Sequence, residues 1–323
     1  MASSIIPFTV GFYNLMTQFV DGRQPAGRKW YQRCIPIALT IKSGSNDEDG
    51  PAIIGLVEMN LPMLTFVKMV FPKYKFVGVA TMVDKPFDEL TTDDYIGELV
   101  VIGYRPDLNI ELVEQDSRWF SPTPKVPCSK FDEKSRNLRA VHFARFTSPQ
   151  GPLAVFCSHY DDFSLEARKC AVRVEAEFIH EKTREGDFII SMRDGNFYPD
   201  NVTEENPKGD GQVLIDELVS STGLQAINPS TNHRGPEGTW IGWETDPFCA
   251  PLITRCKCHS TAEFIDNKNR VYDLILSNHT PHMTTHHPGM FTSLGLEPIS
   301  RSGFSGPRLC ASDHCAVFAE FSG

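Results

Sequence analysis

Most apolar positions in the chain lie in short runs that stop abruptly at a polar residue, as buried strands do. Such runs predict strands at 8–13, 53–57, 76–80, 98–104, 139–146, 153–158, 224–227, 270–277 and 314–321, and one more directly after the turn residue Gly186. Many short strands with few β-α-β alternations indicate an α+β protein.

Helices are predicted where apolar residues recur at helical spacing behind a capping residue. Three segments fit: one capped by Asn60, one that runs from Ser164 to about residue 185, and one within 211–221. The segment around Trp30 predicts a short helix that Pro36 ends, because proline lacks the backbone N–H that a helix interior needs.

The chain has 323 residues and a formal net charge of −10, so it can bury a sizeable core and is acidic overall. Proteins that bind nucleic acid through its phosphates usually present a basic surface. The charge therefore disfavours a nucleic-acid partner, although it leaves room for a local basic pocket. No apolar run is long enough to span a membrane.

The nine cysteines are spread along the chain rather than packed into a short disulfide framework. The first residues show neither the basic nor the apolar segment of a signal peptide. We therefore expect a cytoplasmic protein with reduced cysteines, and we expect it to be a monomer.

Polar residues suited to binding a cation or a phosphate follow several of the predicted strands. They are Asn14, Glu58, His159 with Asp161, Asp194 with Asn196, and Asp313 with His314. If these strands share sheets, their ends converge on one pocket. Carboxylate, amide and imidazole groups together suit a hard cation such as Mg²⁺ or Mn²⁺. Each residue alone has an ordinary explanation, because strand ends are usually polar, but their joint occurrence indicates a site.

In their order along the chain, these residues match the motif blocks of a known superfamily. The matching blocks are Asn14-Leu15, Glu58, His159, Asp194-Gly195-Asn196, Asp273 and Ser312-Asp313-His314. The chain in this respect resembles the endonuclease/exonuclease/phosphatase superfamily, whose blocks are an Asn-Leu, a Glu, a His, Gly-Asp-x-Asn, an Asp and Ser-Asp-His. The resemblance spans nearly the whole chain and implies one catalytic domain of this type over 6–322.

Within the superfamily the chain is most similar to a microbial and fungal subgroup. The stretches that carry this similarity are Trp119-Phe120-Ser121-Pro122-Thr123-Pro124, His159-Tyr160-Asp161 with Ala167-Arg168, and Thr239-Trp240-Ile241-Gly242-Trp243. Together with the short strands, the resemblance implies a four-layer α/β sandwich, in which two mostly antiparallel sheets pack face to face with helices outside.

The resemblance also implies a metal site. Glu58 would hold a Mg²⁺ or Mn²⁺ ion, with Asn14 and Asp313 beside it. Activity is therefore expected to need the added cation and to be lost with a chelator.

The remaining motif residues are implied to be catalytic. Asp194 would orient or deprotonate the attacking water, while Asn196 and His159 would hold phosphoryl oxygens. His314 would stabilise charge on the phosphoryl group, oriented by the carboxylate of Asp273.

Two arginines are candidates for substrate contact. Arg168 lies one turn into its predicted helix, where it either reaches the pocket or forms a surface salt bridge. Arg193 stands where the superfamily has Gly, and Gly195 follows the aspartate, so this loop departs from the family pattern. The Arg193 guanidinium either pairs with a substrate phosphate, or points into the sheet or toward Asp194 and weakens the site.

Two further clusters each have a functional and an ordinary interpretation. The first could be a zinc site, but its spacing lacks the usual Cys-x-x-Cys pair and favours unliganded thiols. It comprises Cys249, Cys256, Cys258 and His259. The second is either a substrate-contacting rim or a solvated loop. It comprises His279, His282, His286 and His287.

These observations favour a Mg²⁺- or Mn²⁺-dependent phosphoric ester hydrolase, a phosphatase or phosphodiesterase that acts on a small or lipid-like phosphoester. One alternative is a nuclease that cleaves DNA or RNA, which the net charge disfavours. Another is a catalytically weakened protein that keeps the fold and binds a phosphate ligand, which the retained motif residues disfavour. The identity of the substrate depends on loops such as 125–137 and 231–248.

Overall fold

The computed structural model describes residues 8–15, 30–45, 47–83, 85, 87, 89–91, 97–133, 135, 137–197, 203, 209–227, 233–234, 273–287, 290–292, 308–310 and 316–321. The strands within them are β1 (Phe8–Asn14), β2 (Ile53–Met59), β3 (Lys75–Ala80), β4 (Leu99–Tyr104), β5 (Glu111–Trp119), β6 (Ala140–Ser148), β7 (Gly151–His159), β8 (Phe188–Asp194), β9 (Gln225–Ala226), β10 (His233–Arg234), β11 (Asp273–Ser277), β12 (Met283–His287), β13 (Met290–Thr292), β14 (Arg308–Cys310) and β15 (Ala316–Phe321). The helices are α1 (Trp30–Ser43), α2 (Leu61–Val70), α3 (Leu165–Lys182) and α4 (Gly209–Thr222).

The strands form two large sheets and a small hairpin. The first sheet has seven strands in the order β10-β12-β15-β1-β2-β4-β3, and the second has six in the order β5-β6-β7-β8-β11-β9; β13 and β14 pair with each other. Most neighbours are antiparallel, while the pairs β1–β2, β7–β8 and β10–β12 are parallel. In each sheet, the two strands of the central parallel pair, β1–β2 or β7–β8, end side by side at the same end of the sheet.

Two sheets and two groups of helices form four layers, and an apolar core cluster lies between each pair of neighbouring layers. This arrangement confirms the predicted four-layer sandwich. A central cluster joins residues of both sheets, among them Phe12 and Val57 from the first and Cys157 and Met192 from the second. A second cluster packs α1 and α2 on the outer face of the first sheet. A third cluster packs α3 and α4 on the outer face of the second sheet. Each sheet thus buries both faces.

Two predicted helix starts are confirmed by their caps. The Asn60 side chain accepts from the backbone of Met63, and Ser164 accepts from that of Ala167. No helix in the described part of the chain is long and apolar enough to cross a membrane.

The prediction that Pro36 ends the first helix is wrong. Helix α1 continues to Ser43 with Pro36 inside it. A proline costs one backbone hydrogen bond there. Its neighbours Ile37 and Ile41 are four residues apart and are both buried against the first sheet, and this burial offsets the loss.

Strand β5 is missing from the sequence prediction because its apolar pattern is weak. It is an edge strand, and its side chains alternate between exposed and half-buried from Glu111 to Asp116. An edge strand needs little apolar surface, so its sequence gives a weak signal.

Candidate active site

Strands β1 and β2 place Asn14 and Glu58 side by side. The strands are parallel, and Asn14 lies opposite Val57. The pairing of β2 with β4 shifts register between Leu56 and Met59, and Glu58 within this bulge has a φ of 53°. Bulges re-aim side chains, and non-glycine residues at positive φ are uncommon. The bulge therefore turns Glu58 to the same end of the sheet as Asn14.

Strands β7 and β8 deliver His159 and Asp194 from the other sheet. They are parallel, and His159 lies directly opposite Asp194. Side chains alternate along a strand, so both residues face the same way as Cys157 and Met192, toward the first sheet. The pairing ends where the Tyr160 N–H donates to the Asp194 carbonyl at 2.9 Å. The two candidate catalytic residues thus stand at the very end of the ladder.

Asn14 connects the carboxylates of the two sheets. Its fully buried Nδ2 donates to Glu58 Oε1 at 3.0 Å and to Asp194 Oδ2 at 2.7 Å. The predicted neighbourhood of Asn14 and Glu58 is therefore seen. Through its amide nitrogen Asn14 thus bridges the two carboxylates, and its contact with a cation stays a prediction.

Glu58, His159 and Asp194 form a cluster that could hold a metal ion, with one ligand atom of each lying within 4.8 Å of the others. His159 Nε2 is 3.5 Å from Asp194 and 3.9 Å from Glu58. The two carboxylates held this closely, with only Glu58 half-exposed, suit a hard divalent cation, which the His159 ring would adjoin. The donor set therefore fits the predicted Mg²⁺ or Mn²⁺.

Asn196 and Asp273 lie next to this cluster. Asn196 has a φ of 45°, its N–H donates to Asp194 Oδ1 at 2.9 Å, and its Nδ2 is 3.2 Å from His159 Nε2. Asp273 begins β11 and lies opposite Asp194 in the antiparallel pair with β8, where it is buried. The structure thus groups six of the predicted residues. Asp313 and His314 lie outside the described residues.

Glu98 and Arg139 belong to the site, and the sequence analysis missed them. The Glu98 carboxylate contacts His159 Nδ1 and Arg139 Nη1 through its two oxygens, and it accepts from the Glu58 N–H at 3.2 Å. A carboxylate only accepts, so the proton shared with Glu98 comes from Nδ1, although the Arg139 Nη1 donor also lies 2.6 Å from that nitrogen; Nε2 faces Asp194. Glu98 therefore contacts both the His159 ring and the backbone of Glu58.

Glu98 and Arg139 stand just before a strand, whereas most of the residues predicted from the sequence stand at the end of one or just after it. Glu98 precedes β4, which is antiparallel to β2, and Arg139 precedes β6, which is antiparallel to β7. The start of an antiparallel neighbour lies beside the end of its partner. A charged residue before a buried strand was the signal that would have identified both.

The electrostatics of the site follow from these contacts. Burial and the Arg139 charge lower the pKa of His159, but Glu98 and Asp194 outweigh them, so the pKa lies above its usual value. Burial raises the pKa of Glu98, but the charges of Arg139 and His159 lower it by more. The pKa of Glu98 is therefore well below its usual range. The contacts therefore favour an ionised Glu98 beside a readily protonated His159.

Arg193 does not reach the site, so the prediction that it binds a substrate phosphate is corrected. It is the residue before Asp194 on β8, and strand alternation turns it to the opposite face. It is fully buried there, and its Nη2 lies 2.7 Å from Glu175 of α3.

The loop also departs from the family pattern at Gly195, where a Cβ would lie 2.0 Å from the Phe197 ring. The Phe197 ring therefore packs over Gly195 and leaves no room for a side chain there.

Arg168 is not on the surface, so the surface-salt-bridge alternative is wrong. Its side chain is buried, and Nη1 donates to the Asp161 carbonyl at 3.2 Å. Asp161 in turn accepts from the Phe163 and Ser164 N–H groups through Oδ1. Arg168 thus contacts the loop that follows His159, and its contact with substrate stays a prediction.

The other histidine and cysteine clusters are only partly described. His279 packs on Phe188 with ring centroids 4.4 Å apart, and His282 Nε2 lies 3.2 Å from Glu320. The side chains of His286 and His287 and the Cys249–His259 cluster lie outside the described residues.

No family model and no curated protein matches the chain, but solved structures match over its whole length. An endonuclease/exonuclease/phosphatase family protein from Bacteroides thetaiotaomicron has a TM-score of 0.70 at 22% identity, covering 99% of each chain. The mannosyl-6-phosphatase of Bacteroides thetaiotaomicron VPI-5482 has a TM-score of 0.67 at 21% identity, covering 96% of this chain and 98% of that one. D. rerio TDP2, complexed with a single-strand DNA product, has a TM-score of 0.59 at 13% identity, covering 98% and 99%.

Likeness at these identities establishes the fold. The chain has the fold of the endonuclease/exonuclease/phosphatase superfamily, as its motif blocks predicted.

Proposed function

We propose that this chain is a divalent-metal-dependent phosphoester hydrolase that directs water onto phosphorus. The observation that carries the proposal is the convergence of Glu58, His159 and Asp194 from both sheets at the ends of three strands. Carboxylates are costly to bury together without a cation. Their grouping in a fold shared with a phosphatase supports phosphoester hydrolysis.

Glu58 would hold the cation, with Asp313 as its predicted partner. When bound, the ion would act as a Lewis acid on a phosphoryl oxygen. Asn14 keeps the carboxylates of Glu58 and Asp194 at a fixed separation by donating to both. This fixed spacing reduces the reorganisation that binding would otherwise require.

Asp194 would take the proton of the attacking water. Its Oδ1 accepts from the Asn196 backbone and its Oδ2 from Asn14, so the carboxylate is held in one orientation. An oriented carboxylate next to the reacting water is the usual arrangement for a general base.

His159 would bind a phosphoryl oxygen through Nε2 together with Asn196. Glu98 holds the opposite ring nitrogen, and its charge favours the protonated ring. A charged donor fixed in place before the reaction stabilises charge that develops on phosphoryl oxygens. Asp273 and His314 are proposed as a second such pair, and Arg168 as a residue of the pocket wall.

A small or lipid-like phosphoester is the proposed substrate class. The net charge of −10 supports it over long nucleic acid. The TM-score of the chain is also higher with the mannosyl-6-phosphatase, at 0.67, than with the DNA-bound TDP2, at 0.59. Cleavage of DNA or RNA is the second candidate, favoured by the full-length structural match to TDP2.

The test is a panel of sugar phosphates, lipid phosphates, phosphodiesters and single-stranded DNA and RNA, assayed with Mg²⁺, Mn²⁺ or EDTA. We expect hydrolysis of a small phosphoester that needs the cation and is lost in Asp194→Ala. Full turnover in EDTA, or equal turnover by Asp194→Ala, would refute the proposal.

A further inference from the structure

A second buried charged network lies behind the candidate active site, on the α3 side of the second sheet. Its centre is Glu175, whose side chain is fully buried. Glu175 Oε1 accepts from Arg193 Nε at 3.1 Å, from Arg193 Nη2 at 2.7 Å and from Ser191 Oγ at 2.7 Å. Its Oε2 accepts from Ser158 Oγ at 2.7 Å. One carboxylate therefore ties α3 to both β7 and β8.

The residues that Glu175 holds directly precede the candidate catalytic pair. Ser158 and Arg193 lie opposite each other in the β7–β8 register, and the next pair is His159 with Asp194. That next pair is the last of the ladder. Terminal pairs of a ladder open most readily, because a neighbour supports them on one side only. A side-chain link one residue before the end opposes this opening.

Stability alone does not account for the network. A buried ion pair often contributes less to stability than apolar side chains of the same volume, because burying two charges is costly. What an ion pair adds is direction, since each hydrogen bond fixes an angle and a distance. In this network the directional hydrogen bonds are made to strand residues next to the site.

We propose that Glu175 and Arg193 are positioning residues that hold His159 and Asp194 at a fixed separation by cross-linking β7 and β8 to α3. This inference rests on the proposed function, because it assumes that His159 and Asp194 act together on one phosphoryl group. Both side chains are buried on the α3 side of the sheet, so neither is placed to touch a substrate in the site.

The test replaces the pair by apolar residues in the double variant Glu175→Leu/Arg193→Met. The matched control is Arg145→Met/Asp187→Asn, which removes another buried ion pair of the same sheet, one whose Asp187 precedes β8 at the end away from the site. We measure the melting temperature, kcat and KM on the substrate found by the panel, and amide hydrogen exchange of the metal-free protein.

For the double variant we expect a melting temperature close to that of the parent, a kcat about tenfold lower and a KM within about twofold. The Tyr160 amide, which donates to Asp194, should exchange at least about tenfold faster. The control should keep the parental kcat and Tyr160 exchange. Parental kcat and exchange in the double variant would overturn the proposal and leave the pair a structural element only.

Two arrangements keep the test decisive. If the double variant does not fold, Ser158→Ala/Ser191→Ala removes two of the four bonds to Glu175 without leaving a charge unpaired, and the same two outcomes apply to it. If the parent hydrolyses no phosphoester, the proposed function fails, but Tyr160 exchange still decides whether the network positions the strand ends.

Discussion

The two faces of the second sheet near the end of β8 carry buried charges in different balance. On the site face, the carboxylates of Glu58, Glu98 and Asp194 lie within 4.0 Å of the His159 ring nitrogens, and the Arg139 guanidinium contacts Glu98 among them. On the α3 face, one carboxylate meets one guanidinium. The α3 network is neutral by itself, whereas the described side chains of the site face carry an excess of negative charge.

This difference indicates what each network is for. A balanced buried pair needs no further partner, so it can serve to hold the structure. An unbalanced cluster is unfavourable until a cation or a proton joins it. The excess on the site face is therefore a reason to expect a divalent cation there, independently of the resemblance to other proteins.

The largest expected effect is on activity and comes from the site face. Asp194→Asn keeps the shape but removes the proposed base, so kcat/KM should fall by about 10²–10⁴-fold. Because the change also removes one of several like charges, the free energy of unfolding in EDTA should stay the same or rise. Steady-state kinetics and urea denaturation measure the two quantities, and a clear loss of stability with intact activity would contradict the comparison.

On the α3 face, removal of one charge alone is expected to affect stability most. Arg193→Met leaves Glu175 buried and unpaired, which should lower the free energy of unfolding by about 3–5 kcal/mol. Urea denaturation at pH 7 measures it, with Arg184→Met as the control because that side chain is 69% exposed. A loss below about 1 kcal/mol would mean that the pair is not buried as described.

Two buried histidines sharpen the comparison further. His142 lies in the central core against Ser117, and burial lowers its pKa to about 3 from 6.5, although Asp116 raises it slightly. His159, by contrast, has a raised pKa because carboxylates surround it. Burial alone thus disfavours the charged ring, and only the acidic site reverses the direction.

The lowered pKa of His142 determines the direction in which stability changes with pH. Below pH 6.5 His142 binds a proton in the unfolded chain but stays neutral in the folded chain, so stability falls as the pH falls. From pH 6.5 to pH 5 the loss should be about 2 kcal/mol. Urea denaturation across this range should show a smaller loss for His142→Asn than for the parent. An equal slope for both would show that His142 is not buried in the neutral form.

Much of this site could be predicted from the sequence because strand ends are visible in it. Apolar runs that stop at Asn14, Glu58, His159 and Asp194 gave the residues, and the structure brings them together. Period-2 alternation along β8 would also have placed Arg193 and Asp194 on opposite faces of the sheet.

Other features could not be obtained in this way. The role of Glu98 depends on which strands are neighbours and antiparallel, and this pairing is set by the whole fold rather than by local sequence. The bulge at Glu58 depends on the register between β2 and β4 for the same reason. The Glu175–Arg193 pair required knowing which face of α3 meets the second sheet.

The most direct test of the central claim is calorimetric titration of Mn²⁺ into the metal-free protein, since the claim is that the unbalanced carboxylates hold a divalent cation. We predict one ion per chain, at least about tenfold weaker binding in Glu58→Gln, and unchanged binding in Asp187→Asn, whose carboxylate is more deeply buried but is paired with Arg145. Absence of binding to the parent, or equal binding by Glu58→Gln, would contradict the account.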